Sequence, residues 1–328
     1  MESHEDELCF PHLLNSSCKK TMHPHFVSML IYIVLFSISL LTVTLNLLVI
    51  ISISHFRQLH TPTNLLLLSL AVSDFFVGLI LFFQIMLLDG CWFLGDLMCI
   101  LYIVLDYIIV SSSVGIMVLI SVDRYVAICE PLHYSNKVTQ KRVKMSVCLC
   151  WTCSGFVLIL LLQDHMKELG RHNSCIGECI IVITYIAELA ELFFLFIGPV
   201  TVIIVLYMRV FVVAVTQARA MRSHVAALPL KFSMTITAKK SEMKAARTLG
   251  VVVVVFLLCV CPYYCVALSK KDNLINLSSA TVVLCVFYFN SCLNPLIYAF
   301  FYPWFRKSMK LIVTLKILQP GSCERNLL

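Results

Sequence analysis

Asp106 stands in Cys99–Ser121, a segment that is otherwise almost wholly apolar. Glu191 interrupts a second apolar run, Ile180–Tyr207, with Glu188 one turn before it on nearly the same face. Asp74 lies within a third, Asn64–Leu88. A carboxylate among apolar side chains is costly, and where one is kept at membrane depth it marks a functional site by default. Acids given by two helices to one space make a pocket for a cation, and two acids suit a cation charged at both ends. Tyr107, Tyr263, Tyr264 and Phe287 fall in similar apolar segments and offer ring faces, over which cations bind well. Ordinary packing between helices is the competing reading for these aromatics.

Elements that position such groups must live in lipid. The chain has 328 residues, of which 60% are hydrophobic and 13% charged, with a mean hydropathy of +0.93. No ordinary soluble domain has that balance. Seven apolar stretches approach the roughly 20 residues that a spanning helix needs. They cover about Phe26–Ile53, Asn64–Leu88, Cys99–Ser121, Met145–Leu162, Ile180–Tyr207, Thr248–Leu268 and Ser278–Phe301. In lipid the backbone must satisfy its own hydrogen bonds, so these are helices. The expected fold is an all-α membrane protein, a seven-transmembrane helix bundle over 26–301. An N-terminal segment, 1–25, precedes it, and a short cytoplasmic amphipathic helix and tail, 302–328, follow. There is no tandem repeat, low-complexity tract or soluble domain.

Orientation follows from the placement of Lys and Arg. Arg124, Lys137, Lys141, Arg142 and Lys144 follow span three, and eight further basic residues lie between spans five and six. Arg306, Lys307, Lys310 and Lys316 add to the tail. The opposite side carries Glu2, Glu5, Asp6, Glu7, Asp89, Asp164 and Glu168. The N-terminus is therefore expected outside and the C-terminus in the cytoplasm. The net charge of +7 reflects this topology rather than nucleic-acid binding. The acidic opening, MESHEDELCF, does not fit a cleavable signal peptide, so span one is expected to act as its own insertion signal.

Of 16 cysteines, eight lie inside spans, where they pack as small apolar residues. Cys9, Cys18, Cys91, Cys99, Cys175 and Cys179 fall outside, an even set in an oxidising compartment, and disulfides are expected among them. No cysteine or histidine spacing fits a metal. Asn15-Ser-Ser is a glycosylation acceptor on the outer side.

Asp123-Arg124-Tyr125 ends span three, Asn294-Pro295-Leu-Ile-Tyr298 ends span seven, and Pro262 breaks span six. Asn46, Asp74, Trp151 and Pro199 mark spans one, two, four and five. Together, in this order, they resemble rhodopsin-like G-protein-coupled receptors over the whole chain. The run from Asn290 to Phe305 looks like the span-seven fingerprint of trace amine-associated receptors. HFRQLHTPTN, Cys91-Trp92 and Cys175-Ile-Gly-Glu-Cys179 point the same way.

The resemblance implies roles residue by residue. Asp106 would salt-bridge the amine of aminergic ligands, and the Tyr288 hydroxyl would hydrogen-bond the same carboxylate. Asp74 would meet Ser113, Asn290, Ser291 and Asn294, an oxygen set that suits a hard cation. The site would then hold sodium as a modulator rather than a cofactor, the alternative being a plain polar cluster. Arg124 stands 18 residues after Asp106 on the same helix face, roughly 27 Å away. It can pair with Asp123 or reach Glu242 at the start of span six, a lock that the family opens on activation; the alternative is that it snorkels to the interface. Activation would expose Arg124, Tyr207 and Tyr298 to a heterotrimeric G protein, by family inference the stimulatory type acting through cyclic AMP. Cys99 would pair with Cys179 and Cys18 with Cys175, while Cys9 with Cys91 stays open.

Departures from the pattern matter. Val260 replaces a usual Trp, Leu45 replaces a usual Gly, and Leu192 and Leu195 replace the serines of catecholamine receptors. A catechol hydroxyl would have no partner there. Glu191 is unnecessary for a monoamine, so the expected ligand is a diamine or polyamine, sensed by an olfactory-type receptor. A monoamine receptor with a neutral Glu191 and an amine transporter are the alternatives. No GxSxG, HExxH or Walker A motif supports an enzyme, no inverted repeat supports a transporter, and Tyr288 occupies the place of the opsin lysine.

Overall fold

The protein is described by a computed structural model in residues 8–13, 16–20, 25–87, 90–167, 175–179, 185–225, 250–266, 268 and 277–327. Among the described residues, eight helices of 11 residues or more run in chain order: α1 His25–His55, α2 Pro62–Leu87, α3 Gly95–Cys129, α4 Gln140–Lys167, α5 Tyr185–Val225, α6 Gly250–Val266, α7 Leu277–Phe301 and α8 Pro303–Val313. Six are long and apolar enough to cross a membrane, and α6 is a shorter apolar helix. Among the described residues β-structure is limited to two isolated bridges in the outer cap. The expected helical bundle and the short amphipathic helix after span seven are both present.

Most spans outrun their apolar stretches, because a helix has no reason to stop where lipid does. Its ends are set by local chemistry. Thr61 caps α2, accepting from the Asn64 amide at 3.2 Å, and Pro62 occupies the first helical position, where its missing N–H costs nothing. α3 stops at Cys129 because Pro131 disfavours helical backbone at Glu130. α8 again begins on a proline, Pro303, after the extended Tyr302.

α5 is irregular where it matters. Leu192–Ile197 form a π-helical turn between Tyr185–Glu191 and Gly198–Val225. Pro199 cannot donate to the helix ladder and its ring crowds the carbonyl four residues earlier, and the widened turn accommodates both. Face assignments counted along a regular helix therefore do not carry across from Pro199 to Glu191.

The inward faces form two stacked cores. The cytoplasmic one gathers Ile116, Met117, Phe256, Tyr298 and Phe305, and the outer one Leu35, Leu81, Trp92, Tyr102 and Tyr288. Phe82, Ile159, Phe194 and Phe211 stay exposed, as lipid-facing side chains should. The tail also packs inward. Left-handed Leu315 and Gly321 turn it beneath α1, where His55 Nε2 meets Ser322 Oγ at 2.9 Å and the Leu327 amide donates to Gln58 Oε1 at 3.2 Å.

α1 and α2 approach closely at Gly78, whose carbonyl accepts from Ser39 Oγ at 2.7 Å. A Cβ there would lie 2.8 Å from Val43 Cγ2, 3.1 Å from the Val43 nitrogen and 3.2 Å from the Ser39 oxygen. Gly78→Ala should therefore lower the melting temperature and surface expression, at a cost of about 1–3 kcal/mol. Adding Val43→Ala should recover only part of the loss, because the backbone contacts remain. Melting of the purified protein in detergent reads both outcomes.

Candidate functional site

Three disulfides close the outer face: Cys99–Cys179, Cys18–Cys175 and Cys9–Cys91. The first two are the pairings that the resemblance implied, and the third resolves the open pair. The Cys9 amide donates to the Cys18 carbonyl at 2.9 Å, and the Ile176 amide to the Ser16 carbonyl at 2.7 Å. The Trp92 amide donates to the Gly177 carbonyl at 2.7 Å, and Phe10 meets Phe93 edge-on. N-terminus, first outer loop and second outer loop thus form one cap. Gly177 has φ +102°, and a Cβ on it would sit 3.0 Å from the Phe10 ring.

Below the cap, side chains of α3, α5, α6 and α7 come together. Asp106 enters from α3, and Glu191 stands where α5 begins its π-helical turn; both are half-buried. The two carboxylates lie within electrostatic range of one another, and Glu191 also acts on Tyr107, Tyr263 and Tyr264. Among the described residues neither acid has an ion-pair partner. Glu188 interacts with Glu191 but is exposed, so it does not share the enclosed position that its spacing suggested.

Aromatic rings line the cleft as a chain. Phe196 stacks on Tyr264 at 4.4 Å, Tyr264 meets Tyr263 at 5.3 Å, Tyr263 meets Phe287 at 4.7 Å and Phe287 meets Tyr288 at 5.5 Å. Tyr288 is not bonded to Asp106. It is buried in one packed cluster with Tyr102, whose hydroxyl donates to Gln84 Oε1.

Under the rings, a cavity of about 30 Å³ is bounded by Val260, Tyr264, Ser113, Asn290 and Ser291 among others. That is enough for a water or two. Val260 leaves this space where a larger side chain would fill it. Asp74 lies deeper, fully buried, accepting from Asn294 Nδ2 at 2.8 Å. Asn46 Nδ2 donates to the Thr42 and Ser291 carbonyls. Asp74 Oδ1, Asn290 Oδ1, Asn294 Oδ1 and Asn46 Oδ1 are buried with no hydrogen-bond partner among the described residues. Buried oxygens left without donors fit a small hard cation or ordered water.

At the cytoplasmic end Arg124 is held by Asp123 and Thr63. Its Nε donates to Asp123 Oδ2 at 3.0 Å and its Nη2 to Thr63 Oγ1 at 2.6 Å. Thr63 Oγ1 donates in turn to Asp123 Oδ2 at 3.0 Å, and the Tyr134 hydroxyl to Asp123 Oδ1 at 2.9 Å. Arg124 is thus buried and paired, not snorkelling. Tyr125 stands aside, packed against Ile128 and Val210. Tyr207 and Tyr298 are close to the core, their hydroxyls without a partner among the described residues. Pro262 is half-buried in α6. Glu242 and Asn15 lie outside the described residues, so the lock and the glycan acceptor have no structural account here.

Thr63, Tyr134, Gln84 and Tyr102 escaped the sequence reading. Gln84 had a signal, a lone amide in an apolar span, and so did Tyr102, spaced i−4 from Asp106.

Residues 45–298 match the 7 transmembrane receptor (rhodopsin family). Trace amine-associated receptor 13c of Danio rerio is 36% identical, with 98% of this chain and 96% of the relative covered. Trace amine-associated receptor 4 of Mus musculus is 34% identical over 99% of this chain and 96% of its own length. Trace amine-associated receptor 7e of Mus musculus is 37% identical, covering 98% and 92%. The chain belongs to the trace amine-associated receptors. It is a rhodopsin-family G-protein-coupled receptor and not an enzyme, a multi-pass protein of the plasma membrane with its N-terminus outside, as that family has it. The three staples of this receptor sit on its outer face accordingly.

The Cys9–Cys91 bridge spans 82 residues of sequence, and closing a long loop constrains the unfolded chain. Cys9→Ser with Cys91→Ser should lower thermal stability by about 2–4 kcal/mol. Peptide mapping of the unreduced receptor should recover three bridges, and recovery of Cys18 as a free thiol would contradict the cap.

Proposed function

We propose that this receptor responds to cationic amines and prefers diamines or polyamines, with one ammonium on Asp106 and the other on Glu191. The observation that carries this is the pair of acids in mutual range, in one aromatic cleft, without an ion-pair partner among the described residues. Two uncompensated carboxylates in an apolar wall are costly, and a ligand bringing two positive charges relieves both at once. An aliphatic linker would lie along Tyr263, Tyr264 and Phe287. The relatives named for trace amines support the class of ligand. An olfactory role, coupling to a stimulatory G protein and a rise in cyclic AMP complete the reading.

Agonist would bias a two-state equilibrium. α6 would swing outward about Pro262, and Arg124 would leave Asp123, Thr63 and, by the same reading, Glu242. The oxygens around Asp74, with Ser113, Asn290, Ser291 and Asn294, would hold sodium in the resting state, opposing that change from within the bundle.

Linear α,ω-diamines of increasing length, tested on expressed receptor with a cyclic AMP readout, decide the ligand class. Asp106→Asn should weaken every amine by about 3 kcal/mol, on the order of 100-fold in EC50. Glu191→Gln should weaken diamines at least about tenfold while sparing monoamines of similar length. A diamine curve unmoved by Glu191→Gln refutes the two-carboxylate reading and favours a monoamine receptor.

Sodium has its own test. Replacing sodium by N-methylglucamine at constant ionic strength should raise agonist potency in the wild type. Asp74→Asn should abolish that difference, and a sodium response that survives the substitution would remove the ion from the site.

A further inference from the structure

We propose that residues 315–327 are a strap that braces the cytoplasmic end of the bundle in its resting arrangement, so that the seated tail opposes activation. This rests on the reading that the receptor activates a G protein by exposing Arg124 and Tyr298. The strap has a defined seat under the first cytoplasmic loop. The Ser322 hydroxyl gives its proton to the Ile317 carbonyl at 2.6 Å and meets His55 Nε2 at 2.9 Å. The Leu327 amide donates to Gln58 Oε1 at 3.2 Å. Ser322 is 4% and Leu327 2% exposed, while Glu324, Arg325 and Asn326 between them face water. Two residues therefore anchor the segment. The Arg57–Glu324 pair, 3.4 Å apart and exposed at both ends, adds little.

The seat belongs to the core that activation must rearrange. Leu327 shares one packed cluster with Phe56, Leu59, Trp304, Phe305 and Tyr298. Rings connect that cluster across the junction of α7 and α8: Tyr298 to Tyr302 at 5.9 Å, Tyr302 to Trp304 at 5.7 Å and Trp304 to Phe305 at 5.7 Å. The Tyr302 amide still donates to the Tyr298 carbonyl at 2.8 Å, so α8 follows the end of α7 directly. Ser308 Oγ donates to Ser52 Oγ at 2.8 Å and fixes α8 to α1. The strap ties the far end of α8 back to the same region of α1 and to Gln58.

The consequence follows from close packing and from linkage. A packed cluster does not deform continuously, so Tyr298 cannot leave it without disturbing the seat of Leu327. Coupling of this kind is reciprocal. If the seated strap disfavours the active state, the active state loosens the strap by the same factor. Two independent readouts result, one of basal activity and one of the tail itself.

Activity is read without ligand, as guanosine thiotriphosphate binding to G protein in membranes, at matched amounts of receptor on the cell surface. Burial of one leucine shifts a two-state equilibrium by on the order of tenfold. Leu327→Asp should raise ligand-free activity about fivefold and Gln58→Ala about twofold. The double variant should not exceed Leu327→Asp, because both act through one seat. Leu327→Ala serves if Leu327→Asp does not reach the surface. Cys323, half-buried on the strap beside Ser322, reports the tail. A linear diamine that activates the wild type should speed its alkylation by N-ethylmaleimide at least about threefold, measured by peptide mapping of membranes open to the reagent. Ligand-free activity that is unchanged or lowered in Leu327→Asp, or alkylation of Cys323 indifferent to agonist, would overturn the proposal. Asp123→Asn, which frees Arg124, separates the two readings. If it raises ligand-free activity and Leu327→Asp does not, the coupling reading stands and only the strap falls. If neither raises it, the coupling reading falls and takes the strap with it.

Discussion

Burying an ionised carboxylate is the constraint around which this receptor is arranged. Away from water such a group needs a counter-charge or several donors, and the bundle meets that need differently at each depth. Asp123 is answered in full, by Arg124, Thr63 and Tyr134. Asp74 is answered in part, by Asn294, with one oxygen left over. Asp106 and Glu191 lie within electrostatic range of each other without an ion-pair partner among the described residues. This gradation, from satisfied at the cytoplasmic edge to unsatisfied beneath the outer cap, separates the resting clamp from the place where a ligand must act.

The elements that carry these acids are coupled by packing. α3 bears Tyr102, Asp106, Ser113, Asp123 and Arg124 along one rigid rod. A change at Asp106 therefore has a mechanical route to Arg124 that needs no intervening loop. The ring chain from Phe196 through Tyr264 and Phe287 to Tyr288 joins α5, α6 and α7 at the level of the cleft. It lies directly over the small cavity beside Val260.

The outer cap adds a different kind of order. Three bridges and a handful of backbone hydrogen bonds tie the N-terminus to both neighbouring loops. Because Cys91 precedes Trp92, and Trp92 packs on Tyr102, the cap fixes side chains inside the pocket as well as its roof. The tail provides the cytoplasmic counterpart, with Ser322 and Leu327 seated beneath α1.

The bundle, its orientation and the family were legible in the chain alone, because apolar run length, basic-residue asymmetry and motifs such as Asp123-Arg124-Tyr125 are properties of linear order. So were the acids, since a charge in an apolar run is conspicuous wherever the helix turns. The pairing of Cys9 with Cys91 was not, because three bridges among six cysteines depend on which loops meet. Nor was the bond from Tyr102 to Gln84, which the packing of α3 on α2 decided. The position of Glu191 was hidden as well: a π-helical turn ahead of Pro199 breaks the periodicity on which counting along a helix relies. Local composition determines which segments enter the membrane and what chemistry they bring. Which hydroxyl meets which oxygen is settled only when helices distant in sequence are packed to within hydrogen-bonding distance.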